Sequence, residues 1–279
     1  MIRICIKPTT FTLTSIQDDQ NIYIDIDHRV NKKLALKQHS ELVKAFQNVI
    51  LYTINPVDSV PDIVFTANAG LCLPRLKETV ILLPYMKYPQ RKDELKYLKE
   101  IFSNYKTIPF PGTLSAPFEG QAELKWFHGG MKAVGGYGHR STKKSFDILN
   151  TLFKKTYQEY NLTPPELLVI PLKSNKYYHL DVAMLEFDNK CIVHKQAFSV
   201  DSIKKLKNFL GPSNVFIIDT NDSFCLNAVV DGDNLITHKL DTRLKKELED
   251  ITGKHIKMVD TSEFEKSGGS VRCMTLDIT

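Results

Sequence analysis

The stretch YYHLDVAMLEFDNKCIVHK, residues 177–195, carries the pattern on which the fold turns. A polar, chemically able segment (Tyr-Tyr-His-Leu-Asp) opens an apolar strand. Asp-Asn-Lys supplies turn chemistry, and a second apolar strand returns. That is the signature of a β-hairpin. The pattern recurs at residues 65–84 (FTANAGLCLPRLKETVILLP), 118–136 (FEGQAELKWFHGGMKAVGG) and 227–239 (NAVVDGDNLITHK). A last copy, SGGSVRCMTLDI at 267–278, is cut short. Amphipathic stretches lie between the hairpins. Residues 92–105 and 142–160 place apolar side chains at helical spacing. Residues 199–211 and 241–253 begin with Ser or Asp as caps and end at Gly211 and Gly253. A short apolar strand follows each helix (YKTIPF, LLVIPL, NVFIID, HIKMVD).

Asn68, Glu119, His179, Asn227 and Cys273 mark the recurring positions, and they are separated by steps of about 50 residues. Five similar units of that size predict a closed, repeating α/β architecture that gathers the strand starts near one axis. An ordinary mixed α/β sheet with coincidental spacing is the alternative. No Pro/Gly/Ser-rich linker interrupts the chain, which reads as one domain over residues 1–279.

Composition bounds the function. At 279 residues and 42% hydrophobic, the chain can bury a large core. The net charge of +5 is spread over runs such as KKLALK and RKDELKYLKE, which read as solvated helix faces rather than a nucleic-acid stripe. Five cysteines, an odd number with no Cys-x-x-Cys pair, argue against a disulfide scaffold and for a reducing compartment. The first residues, MIRICIKPTTFTL, read as a strand rather than a signal peptide, and no run of about 18 apolar residues spans a membrane. The cytoplasm is the expected location. Neither a metal-ligating His or Cys cluster nor a phosphate-binding glycine loop is present, so no cofactor is expected.

Three residues could carry chemistry. Cys273 follows a Ser-Gly-Gly-Ser run that permits close backbone approach to a ligand, although a cysteine in a final strand is more often a small buried hydrophobe. His179 and Asp181, read as strand residues, point to one face and could serve proton transfer and cation binding. Glu119, between Phe118 and Gly120, needs a cationic partner if it is buried, and Asp62 is a second such carboxylate.

Taken together, the stretches PDIVFTANAGL, PFEGQAELK, GGYGHRS, YYHLDVAMLEF, NAVV and SGGSVRCMTLDI resemble the guanidine-modifying enzyme (pentein) superfamily, in order, from about Asp62 onward. The resemblance implies a five-fold pseudosymmetric ββαβ propeller. It implies a C–N hydrolase of linear amidines, acting on a small guanidino substrate, with no nucleic acid and no membrane as partner. Cys273 would be the nucleophile, His179 the general acid and base, and Glu119 the carboxylate beside both His179 and the guanidinium. Asp181, Asp62 and Phe65 would contact the substrate. Asn68 stands where arginine deiminases and dimethylarginine dimethylaminohydrolases resemble each other in having Asp. The arginine dihydrolases have Asn there, and an amide can hold a neutral ureido group for a second hydrolysis. Arg140 and Lys87 match positions that take the carboxylate end of an amino-acid substrate. The departures are Gln121-Ala122-Glu123, where the family has x-Gly-Asp, and TSIQDDQN, where the dihydrolases have an Ile-Asn-Pro-Trp-type segment whose Asn Gln17 or Asp18 would replace. An amidinotransferase, or a non-catalytic binding relative, remains the alternative.

Overall fold

A computed structural model describes residues 1–13, 21–24, 27–55 and 57–278. The expected helices and hairpins form, and they assemble into five three-stranded sheets. Each sheet comes from one ββαβ unit. The first joins Leu71–Leu73, Val80–Leu83 and Lys106–Pro109, and the second Leu124–Phe127, Lys132–Tyr137 and Glu166–Pro171. The third joins Met184–Phe187, Lys190–His194 and Val215–Ile218, and the fourth Val229–Asp231, Asn234–Thr237 and His255–Met258. In all four, the first two strands are antiparallel and the third, reached through a helix, is parallel to the second.

The truncated fifth copy is completed from the other end of the chain. Leu276–Ile278 pairs antiparallel with Ile2–Ile6, and the helix Lys32–Ala45 leads to Val49–Tyr52, parallel to that strand. Arg3 latches this closure. Its guanidinium bonds Asp231 at 2.6 Å and the Val230 carbonyl at 2.6 Å, and its Nε forms an ion pair with Asp277 at 3.2 Å.

Burial separates the strands of each unit. The middle strands are almost wholly buried (Val80–Leu83 and Lys190–His194 among them), as continuous apolar runs require. The third strands are half exposed and carry Lys106, Glu166, His255 and Lys257, charges that discourage edge pairing. The connecting helices bury one stripe. In Lys143–Glu159 it is Phe146, Leu149, Phe153 and Tyr157, held by a capping box between Thr142 and Ser145. Ser199 and Asp241 cap the next two helices as the sequence predicts. Asp188 and Asn189, both at positive φ, form the two-residue hairpin loop.

One local expectation fails. His179 and Asp181 are not strand neighbours. A helical turn, Leu180–Ala183, starts directly after His179 and precedes the strand at Met184. Comparable turns precede the strands elsewhere, at Thr66–Asn68 and Gly120–Glu123. Asn68 and Asp181 sit on these turns, and Glu119 and His179 directly precede them.

Candidate active site

The entrance turns of different units meet through side chains. His179 Nε2 lies 2.9 Å from Glu119 Oε2, and Asn68 Nδ2 donates to the Glu119 carbonyl at 3.2 Å. Cys273 Sγ lies 3.5 Å from Asp181 Oδ2 and accepts from Asn227 Nδ2 at 3.1 Å. The Cys273 backbone N–H donates to Asn227 Oδ1 at 3.2 Å. Cys273 precedes the last strand, in a turn rather than in the strand itself.

A cavity of about 20 Å³ opens on Cys273 and His179. Its wall includes Asp62, Phe65, Asn68 and Arg140, all four expected from the sequence, together with Asn21, Tyr88, Arg91 and Tyr178. That volume holds about one water, so a guanidino compound enters only if wall side chains move. Glu119 and Asp181 stand just behind the wall, fully buried, in contact with His179 and Cys273.

Two glycines make the wall possible. Gly120 has φ of 69°, and a Cβ on it would lie 2.6 Å from the Gly70 carbonyl oxygen. A Cβ on Gly269 would lie 2.1 Å from the Phe65 ring. The Ser-Gly-Gly run thus serves close packing against the pocket wall. Its carbonyls are held by Tyr178 Oη on Gly268 and by Asn21 Nδ2 on Ser267.

The electrostatics follow from burial. Burial raises the Glu119 carboxyl, but Arg140, His179 and Arg91 outweigh it and hold the group well below the usual carboxylate range. Arg140 Nη1 bonds Glu119 at 3.0 Å, and its guanidinium lies over the Tyr88 and Tyr178 rings. Burial lowers His179, which is therefore neutral at rest. Burial also raises Asp181, and Glu94 rises to about 7 despite its bidentate pairing with Arg91. Burial and the neighbouring Asp181 push the Cys273 thiol up, so the resting sulfur is protonated.

Two of the expected positions make contacts of their own within the protein. Arg140 lines the cavity, and its Nη1 bonds Glu119. Lys87 does not line the cavity. Its backbone N–H supports Glu119 Oε1 at 3.0 Å and its Nζ bonds the His139 carbonyl. Gln17 and Asp18 fall outside the described residues.

Sequence reasoning missed three contributors. Asn227, used only as a repeat marker, binds the thiol. Asn21, last in TSIQDDQN, stands in the pocket wall. Arg91 orients Asn68 by bonding its Oδ1 at 2.9 Å. A signal existed for Asn227, since its repeat position equals those of Glu119 and His179. Glu119, Glu123 and His179 bring three possible metal donors within 4.8 Å of one another. The Glu119 oxygen involved already serves Arg140 and His179, so the group reads as a proton site rather than a metal centre.

Known proteins resemble this chain over most of its length. The family model for N,N-dimethylarginine dimethylhydrolase of eukaryotic type matches residues 7–279. The bifunctional arginine dihydrolase/ornithine cyclodeaminase AgrE of Nostoc sp. is 28% identical over 260 residues, which cover 90% of this chain and 34% of that protein. The N(G),N(G)-dimethylarginine dimethylaminohydrolase of Mycobacterium tuberculosis is 26% identical over 263 residues, covering 92% and 80%. This chain thus spans about a third of the length of its bifunctional cyanobacterial relatives. Among solved structures, the product-bound N-terminal domain of ArgZ, a cyanobacterial arginine dihydrolase, superimposes with a TM-score of 0.82 at 24% identity. The match covers 98% of this chain and 96% of that one, a likeness of fold.

Proposed function

Because the chain belongs to the N,N-dimethylarginine dimethylhydrolase family, within the pentein-type guanidine-modifying enzymes, we propose that it hydrolyses the guanidino group of arginine or an arginine derivative through a covalent adduct on Cys273. In this reading residues 1–279 are one domain whose five ββαβ units are arranged as a propeller around the site. The observation that carries it is a cavity holding Cys273 and His179 and backed by buried carboxylates in excess of buried cations. A planar cation with paired N–H donors relieves that excess.

The chemistry starts from a protonated thiol. A guanidinium entering beside Asp181 and Asp62 brings positive charge to Cys273, which promotes the thiolate, and the neutral His179 takes up the thiol proton. The sulfur attacks the guanidinium carbon. His179 protonates the departing nitrogen, ammonia leaves, and an amidino-thioether remains. His179 then takes a proton from water, the resulting hydroxide adds to the same carbon, and collapse expels the thiolate and leaves a ureido product. Asn227 supports the sulfur whenever it carries charge.

Asn68 extends the reaction to a second hydrolysis. Its Nδ2 is turned into the site because Arg91 holds its Oδ1. An amide donor in that place retains a neutral ureido group where a carboxylate favours only the cation. The second round releases CO₂, a second ammonia and the ornithine-type amine. A single hydrolysis of a methylated arginine is the competing reading, favoured by the family model. The deciding experiment incubates the protein with arginine, a dimethylarginine and a decarboxylated analogue, and quantifies ammonia, ureido product and amine together. Two ammonia per amine supports the double hydrolysis. A ureido product that accumulates one to one with ammonia or dimethylamine refutes it. Buried cysteines that form no disulfide support a reducing compartment such as the cytoplasm.

A further inference from the structure

Asn227 is fully buried against the Cys273 sulfur and does not line the cavity. It opens the fourth unit, two residues before the strand Val229–Asp231. Its backbone is pinned on both sides. The N–H donates to the Phe224 carbonyl at 2.9 Å, and the carbonyl accepts from the Arg272 N–H at 3.2 Å. The side-chain amide is then fixed end to end. Oδ1 accepts from the Cys273 N–H, and Nδ2 donates to the Asp181 carbonyl, each at 3.2 Å. The first partner can only donate and the second can only accept, so the amide has one orientation. Nδ2 keeps one further hydrogen, and it faces Cys273 Sγ at 3.1 Å.

The sulfur has a second side-chain contact of the opposite kind. Asp181 Oδ2 at 3.5 Å accepts from the thiol S–H, and as a carboxylate it offers nothing to a sulfur without a proton. Burial and Asp181 disfavour charge on the sulfur, whereas the Ser270 backbone and Asn227 favour it. A donor fixed in place before the reaction, and shielded from water, tightens its hold as charge develops on its acceptor. Charge develops on this sulfur when the adduct breaks. In adduct formation the same bond has two effects that partly offset each other. It raises the thiolate population, and it lowers the nucleophilicity of each thiolate. The weight of the contact therefore falls on the second half of the reaction.

We propose that Asn227 is a catalytic residue for the second half of the reaction, its Nδ2 holding the Cys273 sulfur as the leaving thiolate when the adduct breaks. This rests on the hydrolase reading above. After hydroxide adds to the amidino carbon, the C–S bond breaks and its electron pair goes to sulfur. The added hydroxyl stays on the carbon, gives its proton to ammonia or water, and becomes the ureido oxygen. The thiolate takes back the proton that His179 drew from water, and the resting thiol is restored. Asn227 neither gains nor loses a proton in any step.

The test compares wild type with Asn227→Ala on arginine or a dimethylarginine, whichever wild type turns over. Alanine removes the donor without changing a residue of the cavity wall. We expect kcat to fall by about 10- to 100-fold. The ratio kcat/KM should fall by less, so that KM falls too, because slowed adduct breakdown leaves the steps before it largely as they were. Mass spectrometry of protein quenched during turnover should find the amidino adduct on Cys273 in a larger fraction of Asn227→Ala than of wild type. A merely structural role lowers kcat and kcat/KM together and builds up no adduct. Wild-type kcat in Asn227→Ala, or a reduced kcat without adduct build-up, overturns the inference. Should Asn227→Ala not fold, Asn227→Asp is read at about pH 9 by the same measures, since its carboxylate keeps the acceptor for the Cys273 N–H and replaces the donor. Failure of the underlying hydrolase reading looks different, because wild type itself then shows neither turnover nor a Cys273 adduct.

Discussion

Two buried charge clusters in this molecule are built on opposite principles. In one, Arg3, Lys125 and Arg272 face Asp231, Glu186 and Asp277 in ion pairs of 2.6–3.2 Å, three cations to three carboxylates. In the other, at the cavity, Asp62, Glu94, Glu119, Glu123 and Asp181 have Arg91 and Arg140 as their own permanent cations among the described residues, with His179 neutral and Lys125 and Arg272 of the first cluster acting on Asp181 from behind. The first is internally balanced and closes the chain on itself. The second is short of positive charge, and burial raises Glu94, Glu123 and Asp181 above the usual carboxylate range. Balance marks a structural lock, and imbalance marks a place for a cationic guest.

The contrast can be broken at either end. The largest expected effect is chemical. Cys273→Ser should lower kcat/KM for a guanidino substrate on the order of 10⁴-fold or more, with the fold intact by circular dichroism. Next is the lock. Arg3→Met leaves Asp231 without its guanidinium and should cost about 3–5 kcal/mol in denaturant unfolding, while KM of the folded fraction stays unchanged.

Third is a histidine held the other way. His238 has a carboxylate at each nitrogen, Asp222 at 3.1 Å and Glu265 at 3.2 Å, and these outweigh burial and raise it from 6.5 to about 9. Its folded value exceeds its unfolded one, so its stabilisation is complete below about pH 6.5 and is lost as pH rises through 9. Unfolding free energy measured between pH 6 and 10 should fall by up to about 3 kcal/mol more in wild type than in His238→Gln. A parallel decline in both proteins would contradict the clamp.

The smallest effects tune the guest site. Arg140→Met removes the nearest cation from Glu119, and its carboxyl should rise. The acid limb of the kcat/KM–pH profile should then move to higher pH, with activity reduced by about 10-fold. Asn68→Asp should leave the first hydrolysis within about 10-fold of wild type and shift the product from amine to ureido compound. Unchanged product ratios would remove Asn68 from the account.

Much of the fold was legible because it is local. Apolar runs, Ser199 and Asp241 caps, Gly211 and Gly253 stops and the Asp188-Asn189 loop each act within a few residues. Completion of the fifth sheet was hidden, since Leu276–Ile278 and Ile2–Ile6 pair from the two ends of the chain. The helical turn after His179 was misread because Leu180–Ala183 has the composition of the strand that follows. Site membership was suggested by repeat position, which gathers Asn68, Glu119, His179 and Cys273 wherever the units converge. Partners were not legible. That Arg140 serves Glu119, that Lys87 turns to His139, and that Glu123 reaches His179 depend on side-chain directions across units, on which sequence spacing is silent.

The central claim is that Cys273, alone of five buried cysteines, answers to a guanidinium-shaped electrophile. Treatment of the folded protein with a haloacetamidine, followed by peptide mass spectrometry, tests it directly. The account requires a single amidine-type adduct on Cys273, slowed by added substrate and absent from Cys273→Ser. Modification of Cys5, Cys72, Cys191 or Cys225 at an equal rate, or no adduct on Cys273, would contradict it.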